Sequence, residues 1–154
     1  MNSSASSQVT DLVLEVFRLN GGLIAAGDAL VGPIGLSSAR WQVLGAIALQ
    51  SGSEPVVRIA DAMGLARQSV QRTVDALARA GIVAFRPNPH HRRAQLVELT
   101  PKGAALYRSA MRLQEPWARK LAAGIDKAAL RATLEVLKKL RARLEAPGRS
   151  GGRS

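Results

Sequence analysis

A mainly α-helical fold carrying one small β-ribbon is what this sequence predicts, and three observations predict it. Between Val56 and Leu99, a small residue, a glycine and a branched residue are spaced as in two short helices joined by a tight turn. Segments 82–87 and 95–100 then alternate apolar and polar residues, as two strands around a polar turn do. Long stretches at both ends, 10–34 and 101–145, repeat apolar residues at helical spacing.

Composition bounds the rest. At 154 residues the chain suits one domain with a real core. Aliphatic residues dominate and aromatics are 3% of the total, which favours closely packed helices over a sandwich or barrel. The absence of cysteine excludes disulfides, thiolate metal sites and thiol redox chemistry. Charged and polar residues interrupt every apolar run short of a membrane span. The opening MNSSASSQ lacks the basic-then-apolar order of a signal peptide. A cytoplasmic protein with no membrane partner is the expectation. The net charge of +11 suits a polyanion. Its distribution is uneven, at −2 over residues 1–54, +4 over 55–100 and +9 over 101–154. Charge alone therefore does not locate a binding surface, and the C-terminal excess reads as a solvated helix face.

The elements follow in order. Residues 1–9 read as a disordered Ser-rich N-terminus. Thr10 caps a first helix whose face is Leu12, Val13, Val16, Leu19, Leu23 and Ile24. Gly21-Gly22 weakens it by about 1 kcal/mol each, predicting a kink or a tight packing contact, and Gly32-Pro33 ends it. Ser37 or Ser38 caps a second helix with Trp41, Leu44, Ile47 and Ala48 turned inward, closed by Ser51-Gly52-Ser53. Val56–Met63 is the third helix, Gly64 the turn, and 66–80 the fourth, with Gly81 as its stop. Thr100-Pro101 opens a fifth helix bearing Leu106, Met111 and Leu113, expected to kink or restart at Pro116. The last helix opens near Asp126 and repeats Leu130, Leu134, Leu137, Leu140 and Leu144, a stripe that resembles a helix seam. Residues 146–154 form a flexible basic tail.

The central spacing carries chemistry. Ala60 must be small because two helix backbones approach there. Gly64 supplies the positive φ of the turn, and Val70 locks the fourth helix onto the third. Arg67, Gln68, Ser69, Gln71 and Arg72 then point outward, suited to phosphates and base edges in a major groove. Ala66, at the N-cap, offers no side-chain acceptor, which leaves backbone donors for water or a phosphate. The ribbon turn adds Arg92 and Arg93, basic groups suited to a polyanion. His90-His91 do not make a metal site, because neighbouring turn histidines diverge and no cysteine or carboxylate stands at ligand spacing. No catalytic constellation is present in the sequence, so no enzyme and no cofactor are expected.

The order of elements resembles the MarR family of winged-helix transcriptional regulators over about residues 10–145. The stretches that carry the likeness are GLSSARWQVL at 35–44, the helix-turn-helix at 56–81, and RPNPHHRRAQLVELTPKG at 86–103. The resemblance implies a homodimer held by helices 10–34 and 101–145, with 35–100 as the winged helix-turn-helix lobe. Two such lobes would lie about 34 Å apart on double-stranded DNA, over a pseudo-palindromic operator. It also implies a repressor released by a small aromatic or lipophilic effector bound between lobe and dimerisation helices, where Trp41 or Trp117 would line a pocket. Two departures stand out: His91 where the family wing carries an Asp that holds its arginine, and Ala66 where a Ser or Thr cap is usual. A non-specific architectural nucleic-acid protein and a winged-helix protein-interaction module are the alternatives.

Overall fold

The computed structural model of the chain describes residues 4–50 and 52–146. Residues 1–3, Ser51 and the basic tail from 147 onward, expectations included, lie outside the described residues. Helix α1 spans Ala5–Val31, and its N-cap is Ser4, whose Oγ accepts the Ser7 N–H at 3.2 Å. The expected disorder is therefore corrected for residues 5–9, and Thr10 is not the cap. Thr10 lies inside the helix and donates its hydroxyl to the Ser6 carbonyl at 3.0 Å. The early turns are exposed on every side, so no apolar period betrays them. The helix continues through Gly21-Gly22, and among the described residues nothing beyond the helix's own backbone lies within 4 Å of a Cβ placed at either.

A 3₁₀ turn, Gly32–Ile34, leads to α2 (Ser38–Ala48), capped by Ser37 Oγ on the Arg40 N–H. The Asp28 carboxylate of α1 accepts the Ser38 N–H at 2.6 Å and ties the two helices together. Then come β1 (Glu54–Pro55), α3 (Val56–Met63) and α4 (Arg67–Arg79). Gly64 joins the last two at φ +63°, with its N–H on the Ala60 and Asp61 carbonyls. Ala60 and Val70 are buried, so the close approach and the lock both form.

Strands β2 (Val83–Arg86) and β3 (Leu96–Leu99) pair antiparallel, with Val83 opposite Leu99 and Arg86 opposite Leu96. β1 adds to the other edge of β3, Glu54 opposite Val97, so the sheet runs β1–β3–β2. The two-stranded ribbon is thus a three-stranded sheet. Two residues, one of them proline, are too few to show alternation. The core gathers Val31, Leu44, Ile59, Val74, Leu77 and Val97 beneath this sheet and the helices.

Helix α5 (Pro101–Ala122) starts where predicted: Thr100 Oγ1 accepts the Gly103 N–H at 3.1 Å and donates to the Gly81 carbonyl. A Cβ on Gly103 would sit 2.0 Å from the Ile82 carbonyl oxygen, so the backbones touch. Lys102 Nζ reaches the Ala80 carbonyl at the C-terminal end of α4, at 2.7 Å. The expected restart at Pro116 does not occur; α5 runs through it to Ala122. A proline removes one backbone bond, and the helix continues past it for six residues. The break comes at Gly124, before Asp126 caps α6 (Lys127–Glu145) through the Ala129 N–H. None of α6 is buried, Leu134 and Leu144 included. The chain divides into two compact units, Met1–Pro116 and Trp117–Ser154, and the division falls inside α5 rather than at Gly124. No single helix among the described residues is long and apolar enough to cross a membrane.

Candidate nucleic-acid interface

Helix α4 sorts its side chains by period. Val70, Val74 and Leu77 fall at i, i+4 and i+7 and are fully buried, which fixes the helix against the core. The same geometry leaves Arg67, Gln68, Ser69 and Arg72 exposed and Gln71 half-buried at the edge. Ala66 occupies the N-cap without a side-chain bond, as the sequence implied. The helix end that would meet nucleic acid thus presents guanidiniums, amides and backbone donors together.

The β2–β3 turn is held by one side chain. Asn88 Nδ2 donates to the Ala94 carbonyl at 2.9 Å, and Asn88 Oδ1 accepts the His90 N–H at 3.0 Å. His91 and Ala94 add a second turn bond at 3.3 Å. Asn88 thus forms an Asx-type clasp that shapes the loop. His90, His91, Arg92 and Arg93 are all exposed on it. Further down the strands, Arg86 Nε pairs with Glu98 Oε1, while Glu98 Oε2 accepts the Ser53 hydroxyl at 3.3 Å. Among the described residues there is no group of three or more His, Cys, Asp or Glu that could hold a metal.

Helix and wing meet in a cleft of about 310 Å³ lined by Arg67, Gln71 and Asp75 from α4, Phe85 from β2, and Arg93 from the turn. Arg67 and Arg93 therefore converge on one opening, while Arg92 stays outside it. Sequence reading missed Asp75, whose Oδ1 accepts Gln71 Nε2 at 2.9 Å. The i, i+4 spacing of an amide and a carboxylate was the available clue. Asn88 was read only as a turn residue.

Trp41 is half-buried and lines a second cavity, of about 400 Å³, with Met63, Tyr107, Met111 and Leu49. Its wall is aromatic and aliphatic, and Gln42 adds a polar group. Trp117 stands on α5 at the start of the second unit.

A MarR family model matches residues 34–94. An uncharacterized protein of Mycobacterium tuberculosis is 32% identical over 141 residues, spanning 92% of this chain and 97% of its own. Among solved structures, the transcriptional regulator BldR from Sulfolobus solfataricus superposes with a TM-score of 0.81 at 20% identity, over 92% of this chain and 99% of that one. A mutant MarR from E. coli complexed with operator DNA gives 0.76 at 22%, over 90% and 99%. CouR from Rhodococcus jostii RHA1, bound to p-coumaroyl-CoA, gives 0.76 at 23%, over 84% and 91%.

Proposed function

The chain belongs to the MarR family of winged-helix transcription regulators, and from that premise we propose a cytoplasmic homodimeric repressor of a pseudo-palindromic operator. The observation that carries this reading is the convergence of Arg67 and Gln71 with the wing's Arg93 at one cleft, beside exposed Arg72. Arg67, Gln68, Ser69, Gln71 and Arg72 enter the major groove. Arg93 reaches the adjacent minor groove, and Arg92 neutralises a phosphate. A regulator complexed with operator DNA shares the fold, which supports the assignment.

Homodimerisation, through helices within 10–34 and 101–145, is supported by apolar faces left open in the single chain. On α1, Val13, Leu14, Phe17 and Leu19 are exposed; on α6, Leu130, Leu134 and Leu144 are. Patches of this kind rarely face water in an isolated molecule. The cavity at Trp41 suits a small aromatic or lipophilic effector. Binding there would shift the population toward a lobe spacing that no longer fits two consecutive grooves.

A competition titration at fixed salt tests the reading, using duplexes selected from the organism's own genome against random duplex. Wild type should prefer the selected duplex at least 1,000-fold, on the order of other specific binders. The Arg72→Ala/Arg93→Ala pair should lose most of that preference. Binding without preference leaves an architectural protein, and no binding leaves a protein-interaction module.

A further inference from the structure

One i, i+4 pair on α4 lies inside the cleft as well as along the helix: the Gln71–Asp75 bond. Both residues are half-buried, and both line the cleft between recognition helix and wing. An ionised carboxylate has only acceptor sites, so the Gln71 amide must turn its NH2 toward Asp75. Its oxygen is then left free of Asp75. A free glutamine amide rotates and offers donor or acceptor with equal ease. Here the rotation is blocked.

We propose that Asp75 fixes the polarity of Gln71, so that Gln71 reads a base bearing an amino group, adenine first and cytosine second. This rests on α4 entering the major groove, the reading given above. Only adenine and cytosine display an amino donor there; guanine and thymine offer acceptors. The second N–H of Gln71 stays free for an N7 acceptor, which adenine has and cytosine lacks. Asp75 is thus a positioning residue: it touches no base and works through the amide it holds. Arg67 and Arg93, on the same cleft, supply attraction without this polarity.

The test is selection from randomised duplexes, followed by affinity measurements on single-base operator variants. Gln71→Ala identifies the position read, by relaxing one base pair per half-site. There, wild type should prefer adenine over guanine and thymine by roughly 5- to 150-fold. Asp75→Ala and Asp75→Asn should flatten that position while leaving other positions and the salt dependence unchanged. Gln71→Glu/Asp75→Asn, an acceptor without a free donor, should restore selectivity and move it to cytosine. Circular dichroism verifies that each variant is folded. Retained preference in both Asp75 variants overturns the proposal, as does a guanine or thymine preference at that position, or no position relaxed by Gln71→Ala. A wild type that ignores duplexes, or binds all equally, overturns both the proposal and the reading beneath it.

Discussion

The lobe built by α2, α3, α4 and the sheet, and the helices α1 and α6, all present apolar side chains, but these end in opposite places. In the lobe, Leu44, Ile59, Val74 and Leu77 are completely buried by the chain's own elements. On α1, Phe17 keeps 70% of its surface, and on α6, Leu144 keeps 87%. The same pattern in sequence therefore has two fates. Periodicity states that a helix face needs covering; it does not state which molecule covers it. The lobe closes because Gly64 folds α4 back across α3 within a few residues. Helix α1 gives Val31 to the lobe's core but leaves apolar residues from Val9 to Ile24 exposed.

The sharpest way to break this contrast is to damage each region and ask whether protein concentration matters. Leu77→Ala should destabilise the lobe by about 2–5 kcal/mol in urea unfolding, by about the same amount in dilute and concentrated samples. Phe17→Asp and Leu134→Asp should instead weaken self-association about tenfold or more in sedimentation equilibrium. A loss from Leu77→Ala that varies strongly with concentration, or a dimer untouched by both aspartates, would erase the distinction.

A smaller effect is expected where the lobe joins α5. Gly103→Ala drives a methyl into the Ile82 carbonyl, and only a backbone shift relieves it. The expected loss is about 1–3 kcal/mol of stability. Thr100→Val, which removes both the cap and the bond to Gly81, should lose about 1–2 kcal/mol. Calorimetry of the two variants sets the order, and a neutral Gly103→Ala would mean the close approach is not fixed.

The parts legible in the sequence were those whose determinants are local. Val56–Met63, Gly64 and the buried trio on α4 follow from spacing alone, as does the Thr100 cap. What stayed hidden depends on geometry across the chain. The helical start at Ala5 lacked a period because its first turns bury nothing. β1 exists only because β3 lies beside it, two residues being no pattern. At the candidate interface, the outward set on α4 was readable, since its positions are the complement of the core. The clasp by Asn88 and the Asp75 carboxylate behind Gln71 were not. One bridges six residues of loop, and the other gains meaning only beside the wing.

The smallest expected effect compares one ion pair from each region. Glu98 is mostly buried and serves two partners, Arg86 and Ser53, across the sheet. Glu135 on α6 is exposed and pairs with Lys138 one turn away, at 2.9 Å. The hydrogen bond and charge of Lys138, helped by Lys139, hold the Glu135 carboxyl below its ordinary range. A depressed carboxyl stabilises the fold above its unfolded-state value and loses that contribution as pH falls through the folded one. Any difference between wild type and Glu135→Gln should therefore be present at neutral pH and gone in strong acid. Glu98→Gln should cost about 1 kcal/mol or less in thermal melts at pH 7, because Glu98 is partly shielded from solvent although Arg86 is exposed. Glu135→Gln should shift the melt less, and added salt should remove even that. If the α6 variant loses more than the sheet variant, then α6 is not solvated as a single chain suggests, and its charged face is covered as well as its apolar one.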